Sequence, residues 1–336
     1  MALTTVEKNQ ELLSMTLEDR ASGYQDLVSN SNALLSVLQT KGNWQTYSGP
    51  IIRQRLLYAK GNNTLWYNGF GYLPNSPAEL FNDAEFRPKM AAVGISLANE
   101  DILNNMGSNQ LEDIMQDHIM AGENELKDEI DTSLQSDGTR YGGLELSGLK
   151  LALPTVTNSG TYGGISRVNN AIWRTFTYDA NSFDTAIGTA VTSTTIRPFL
   201  NEIVTARTRG KNGPDLFLMS PQHYAAYDAA TVLIQRINDT TSLGKLGFQS
   251  LQYFGAGRTA QIVQDGGIGS NMPINTTYGL DTDNIRMRYH PERNFSKIGK
   301  TMMPINQDAS VQYIGFMGEL TLVSPLFSFK FYDSVP

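Results

Sequence analysis

The spacing of apolar residues changes several times along the chain, and each change marks a different element. The longest regular pattern runs from about Ser108 to Leu134. There Leu111, Met115, Ile119, Leu126, Ile130 and Leu134 recur near multiples of 3.6, and Ile114 and His118 widen the apolar side. This predicts an amphipathic helix about 40 Å long. Gly122 lowers its propensity by about 1 kcal/mol and marks a bend or a close approach. Nearer the start of the chain, Tyr24, Leu27, Leu34, Leu35 and Leu38 fall near one face of a helix over about residues 23 to 39, with polar Asn30, Ser31 and Asn32 in its middle. Such a helix has little reason to stand alone, so the first 45 residues read as an arm that becomes ordered by lying on something else.

From Gly49 to Leu73 the pattern becomes strand, turn, strand. Ile51 to Lys60 is rich in large apolar residues, Gly61-Asn62-Asn63 forms the turn, and Thr64-Leu65-Trp66-Tyr67 returns. Arg53 and Arg55 share one face, while Ile52, Leu56 and Tyr58 share the other. Asn68 through Phe86 holds Gly69, Gly71, Pro74 and Pro77 and reads as irregular. A two-stranded hairpin is marginally stable by itself. One that carries Trp66, Tyr67, Phe70 and Tyr72 needs a surface to cover, in this chain or in a neighbour.

Beyond Asp137-Gly138 the chain is alternating and turn-rich. Leu144 to Pro154 is a short apolar region, and Thr161 to Ile165 is a tight polar turn leading toward Trp173. A helix is expected from Ser182, as cap, through Val191, and a second from about Pro198 to Arg209-Gly210. Leu216 to Met219 reads as a buried strand, with Ser220-Pro221 as cap and first residue of a helix reaching Ile237. This step implies a sheet with helices packed on it. Further strands are expected at Gln261 to Gln264, Ile285 to Tyr289 and Gln312 to Ile314. In the last run Leu320, Leu322, Phe327, Phe329 and Phe331 alternate with Thr321, Ser328 and Lys330, a half-buried strand that makes the C-terminus a core element. The fold class is α+β, with no internal repeat.

Composition narrows the function. A chain of 336 residues with 40% apolar content builds two or three domains and is not a disordered polymer. With no cysteine there is no disulfide scaffold, thiol nucleophile or cysteine zinc site. A net charge of −7 gives no basic footprint for sequence-specific nucleic-acid recognition, yet permits a protein that encloses DNA without gripping it. The start Met1-Ala2-Leu3-Thr4 lacks signal-peptide character and no apolar run is long enough to span a bilayer. Soluble intracellular synthesis without a membrane partner is therefore expected. The long helix is one-sided in charge: Glu112, Asp113, Asp117, Glu123, Glu125, Asp128, Glu129 and Asp131 stand against Lys127 alone. Like charges repel along a helix, so this is either a solvated face or one that meets arginines of another subunit.

Local motifs for chemistry are weak. Gly255-Ala256-Gly257 opens like a dinucleotide loop, but Ala260 stands where a third glycine often falls. His118, His223 and His290 are far apart and none has a triad partner nearby. His223, beside Tyr224 and Tyr227, reads as structural. His118, on the apolar side of the long helix, reads the same way, with a coupling of assembly to pH as the alternative. His290 lies among Arg286, Arg288 and Arg293, which reads as an electrostatic contact. The helix carboxylates lack the Glu-x-x-His pairs of diiron bundles and the EF-hand pattern. No catalytic, cofactor-binding or metal residue is assigned, and the chain is not expected to be an enzyme.

The order of these parts resembles the major capsid protein of tailed bacteriophages with the HK97-type fold. The resemblance rests on the aromatic hairpin, the long helix, the passage from Leu144-Glu145-Leu146-Ser147-Gly148-Leu149 to Thr161-Tyr162-Gly163-Gly164-Ile165-Ser166-Arg167 and Trp173-Arg174, and the step from Leu218-Met219-Ser220-Pro221 into a helix with Tyr224 and Tyr227. It covers essentially the whole chain from about residue 45. It implies an N-terminal arm (1–46), an extended E-loop (47–88), and a peripheral P-domain (89–143) with a spine helix over about 108–135. Residues 144–300 would form mainly an axial A-domain, with partial return to the P-domain, and 301–336 the closing strands of both.

The implied function is a structural subunit that self-assembles as pentamers and hexamers into the icosahedral head enclosing double-stranded DNA, in a virion assembled in the bacterial host cytoplasm. Implied partners are further copies of the chain, a separate scaffolding protein, a portal, a decoration protein and non-specifically contacted DNA. The suspected inter-subunit contacts are Arg53, Arg55, Trp66, Tyr67, Glu123 and Asp128, with Arg53 or Arg55 meeting the acidic helix. Noncovalent joining is expected, since Lys60 alone does not establish a crosslink. The alternatives are an encapsulin-like shell housing cargo and a phage tail or adhesion protein.

Overall fold

The structure is a computed structural model and describes residues 33–57, 63–71, 73, 75, 80–100, 108–231, 250–266, 272–303 and 308–334. The expected turn at Gly61-Asn62 and the segment before Ala33 lie outside these residues. Two sheets organise the chain around two adjoining cores.

The first sheet has the order β1-β12-β13-β4, formed by Trp44–Thr46, Ile285–Met302, Ala309–Leu322 and Lys89–Ala98. Its central pair is a long antiparallel ribbon with register shifts after Tyr289, Asn294 and Ile298. β1 adds in parallel beside Met287 to Tyr289. It follows α1, Ala33–Thr40, which buries Leu34, Leu35 and Leu38. The expected arm helix thus ends as a core element of this chain.

Helix α2, Ser108–Gln135, lies on β4, and Ile119, Leu126, Ile130 and Leu134 are buried in the same cluster as Val93, Ile95 and Leu97. Gly122 permits the close approach: a Cβ there would stand 2.9 Å from Ile95 Cγ1. His118, expected on the apolar side, is exposed instead.

The second sheet has the order β7-β14-β11-β8-β10-β9. Its strands are Phe176–Asp179, Phe329–Tyr332, Thr276–Leu280, Leu216–Met219, Arg258–Gln264 and Ser250–Gly255. In β8, Leu216 and Leu218 face one core while Phe217 and Met219 face the other, which explains an unbroken apolar run. The same double burial corrects the half-buried reading of the C-terminal strand. Ser328 and Lys330 are buried like Phe329 and Phe331, and Lys330 Nζ donates to Thr155 Oγ1 at 2.8 Å.

Helix α3, Ile196–Arg207, places Phe199, Leu200, Ile203 and Val204 on the second core, with Pro198 in its first turn where no N–H is required. The helix expected from Ser182 to Val191 is absent. Asp179 accepts the N–H groups of Ser182 and Phe183 through its carbonyl, and the Asp184 carboxylate accepts Ala186 N–H at 2.8 Å. Side-chain and turn bonds of this kind compete with a helix. Helix α4, Pro221–Thr231, starts directly after β8 as expected.

Two further small elements complete the fold. Gly255 pairs with Arg258 across a two-residue turn in which Ala256 and Gly257 have φ of 49° and 71°. Gly255-Ala256-Gly257 is therefore a hairpin turn between antiparallel strands, not a phosphate loop opening a helix. Strands β5, Thr161–Tyr162, and β6, Ile165–Ser166, form a tiny hairpin around Gly163 and Gly164, both left-handed.

Candidate assembly surfaces

Strand β2, Ile52–Leu57, pairs with β3, Phe81–Phe86, and residues 64–67 form no strand. The expected hairpin exists, but its returning strand lies in the stretch read as irregular. The register sets buried Ile52 opposite buried Phe86, and Arg53 opposite Glu85 and Arg55 opposite Asp83, with Nε to carboxylate distances of 3.0 and 3.7 Å. Opposite charges facing across an antiparallel pair favour this alignment. Both ion pairs are exposed and contribute little to stability.

The base of this hairpin is fixed. Ile52, Ala84 and Phe86 are buried, and Phe86 meets Tyr162 edge-on at 5.2 Å. Glu85 N–H donates to the Gly163 carbonyl at 2.9 Å. Gly163 has no side chain because a Cβ there would stand 2.9 Å from Phe86 Cζ. Trp173 Nε1 holds the Tyr162 carbonyl at 3.0 Å. The Tyr162-Gly163-Gly164 passage is thus the seat on which the hairpin stands.

The far part is the opposite. Leu57, Leu65, Trp66, Tyr67, Phe70, Leu73 and Phe81 are all exposed, Trp66 at 99% and Phe70 at 105%. A concentration of large apolar side chains in water marks a surface that another surface covers. Trp66 and Tyr67 were expected here; Phe70 is equally bare, and Phe81 was missed with its strand. The period-two pattern Phe81-Asp83-Glu85 against Ala84-Phe86 was the available signal.

On α2 the expected acidic contacts separate. Glu123 is buried within this chain, whereas Asp128 and Glu125 are exposed. Glu129 and the buried Glu145 both pair with Arg140 at 3.2 Å. Between α2 and β4 lies an open cleft of about 520 Å³, lined by Met90, Val93, Leu126, Tyr141 and Leu144, with Glu125 on its acidic side.

Several titratable groups are buried, in whole or in part, within the fold. Gln135 Nε2 donates to Asp265 Oδ2 at 2.6 Å. Burial, followed by the charge of Asp131, raises the Asp265 carboxyl to about 7, and burial with Asp128 raises Asp131 to about 6. Glu319 is pushed up to about 7 by burial and accepts Ser147 N–H at 2.8 Å. Burial lowers His223 to about 4, with Nδ1 2.8 Å from Thr277 Oγ1. His223 is thus a packed, neutral histidine beside Phe331. Among the described residues, no group of three or more histidines and carboxylates is placed to hold a metal ion, and no helix is long and apolar enough to cross a membrane.

No family model and no curated protein sequence matches the chain. Solved structures do. A chain of the cyanophage A-1(L) capsid asymmetric unit aligns with a TM-score of 0.64 at 16% identity, covering 87% of this chain and 90% of that one. The capsid of a native GTA particle gives 0.55 at 9% identity, covering 88% and 89%. The chain has the HK97-type capsid fold. A chain of Gordonia phage Cozz is similar as well, with a TM-score of 0.52 at 15% identity over 88% of this chain and 86% of that one.

Proposed function

We propose that this chain is the shell-forming subunit of a tailed-phage head and acts through assembly, not catalysis. The observation that carries the reading is the aromatic hairpin on a capsid fold: its base is anchored while its far part is bare. Each large apolar side chain moved from water into a neighbour's surface contributes about 1.5–3 kcal/mol. Many such contacts close a shell whose individual interfaces are modest.

The proposed division is an arm over 1–46, an E-loop over 47–88, and a P-domain over 89–143 with α2 as spine. Residues 144–300 give mainly the A-domain, with β12 returning to the P-domain, and 301–336 close both sheets. A-domains would meet around the fivefold and quasi-sixfold axes as pentamers and hexamers. The E-loop would lie on an adjoining subunit, with Trp66 and Tyr67 as anchors. The proposed partners are a separate scaffolding protein, a portal, a decoration protein and enclosed double-stranded DNA, in heads assembled in the host cytoplasm.

Electron microscopy of the recombinant chain, alone and with scaffolding protein, tests this reading. Closed shells or regular pentamers and hexamers are expected. Replacing residues 58–80 by an Asn-Gly turn keeps the Leu57–Phe81 ladder position. That variant should remain a folded body that closes no shells; normal shells from it would remove the hairpin from the interface.

A further inference from the structure

Arginines were expected to meet the acidic helix, and the ladder shows which arginines are already engaged. Arg53 and Arg55 are paired to Glu85 and Asp83 within their own hairpin. Those of β12 are not. Arg286, Arg288 and Arg293 make no ion pair among the described residues, and Glu292 is the single acid of the strand. Glu319 stands opposite Arg288 in the ladder, but its Oε1 accepts Ser147 N–H. Arg286 Nε is buried without a hydrogen-bond partner. Burial, and then the repulsion of Arg286, lower the Arg288 guanidinium. Arg286 and Arg288 are adjacent and half-buried, so an arriving anionic surface would offset both their mutual repulsion and their partial desolvation.

The same chain carries such a surface. On α2, Glu125 and Asp128 are exposed, and neither pairs with a cation among the described residues. Residues three apart on a helix lie about 5–6 Å apart at Cβ. Arg286 and Arg288, two apart on a strand, are separated by about 6.6 Å. The two spacings allow both charge-assisted pairs to form together. α2 packs against β4, and β4 is separated from β12 by β13, so the acidic and basic strips occupy different parts of one layered unit. They suit a head-to-tail contact between copies better than a contact of like with like.

We propose that the β12 arginines Arg286 and Arg288, not the hairpin arginines, receive Glu125 and Asp128 of the α2 helix of an adjoining copy. This rests on the reading of the chain as a shell subunit. It assigns that subunit a second interface, electrostatic and heterologous, beside the aromatic one. Its main effect is to fix register and partner orientation.

Charge reversal tests it by assembly, followed by light scattering and electron microscopy. Arg286→Glu with Arg288→Glu, and separately Glu125→Lys with Asp128→Lys, should each raise the concentration needed for assembly about tenfold or more. The four changes combined in one chain should restore assembly. Thermal melts establish that each variant is folded. If reversal at β12 prevents folding, Arg286→Gln with Arg288→Gln serves in its place and should show the same loss. Normal assembly of the folded double variants would overturn the inference, as would failure of the combined variant to recover. Shells that form normally but retain less DNA would assign the strip to nucleic acid instead and also overturn it. If the unmodified chain forms no shell under any condition, the reading beneath the inference fails first.

Discussion

The six-stranded sheet and the aromatic hairpin use the same residue types to opposite ends. In the sheet, Phe217, Phe329 and Phe331 are completely buried between α3 and the strands, and Tyr178 and Phe199 pack edge-on or tilted against their neighbours. In the hairpin, Trp66, Phe70 and Phe81 face water. One region has satisfied its hydrophobic surface within the chain. The other holds that surface on a ladder whose base is fixed by Phe86, Tyr162 and the Gly163 carbonyl. Aromatic content therefore serves stability in the first region and, on the proposed function, association in the second, so changes in the two should be read out by different measurements.

The largest effect on stability is expected inside the sheet. Phe329→Ala should cost about 3–5 kcal/mol in denaturant unfolding, because Phe329 fills the space left by Gly279 and touches Phe217 and Tyr178. A loss below about 1 kcal/mol would mean that the sheet is not the closed core described.

A smaller effect is expected at the polar weak point of that sheet, Asp265 after β10. Its raised carboxyl keeps a proton in the folded state that the unfolded chain releases above about pH 4. Folding stability from this group is complete at low pH and declines as pH rises toward 7. Asp265→Asn retains an acceptor for Gln135 and should stabilise the protein by about 2 kcal/mol at pH 8, with little change near pH 4. Equal melting shifts at both pH values would place the ionisation elsewhere.

The smallest effect on stability belongs to the hairpin. Trp66→Ala should change unfolding by no more than about 0.5 kcal/mol, since the side chain touches little in its own chain. The same substitution should strongly impair shell formation in electron micrographs. A large stability loss with normal shells would reverse the comparison.

Much of the architecture was legible along the chain because it depends on local period. The 3.6 repeat placed α2, the unbroken Leu216–Met219 run placed β8, and Ser220-Pro221 placed the start of α4. Local signals failed where bonds with other segments decide. The helix expected over residues 182 to 191 lost to turn bonds at Asp179 and Asp184. Residues 64–67 are apolar and near and so mimic a returning strand, whereas the ladder aligns Arg53 and Arg55 with carboxylates some thirty residues on.

What the sequence determined by itself is that this chain carries an aromatic hairpin, a long acidic helix and a C-terminal strand built for burial. Periodicity and composition fix such features before any contact forms. Only the tertiary structure decided which of them remain unsatisfied. It paired Arg53 and Arg55 at home, buried Glu123, and covered both faces of the C-terminal strand. Among the described residues it left Trp66 and Phe70 exposed and gave Arg286 and Arg288 no ion pair. Whether a side chain is available to another molecule depends on what the rest of its own chain has already brought against it, and that is set by long-range register and packing.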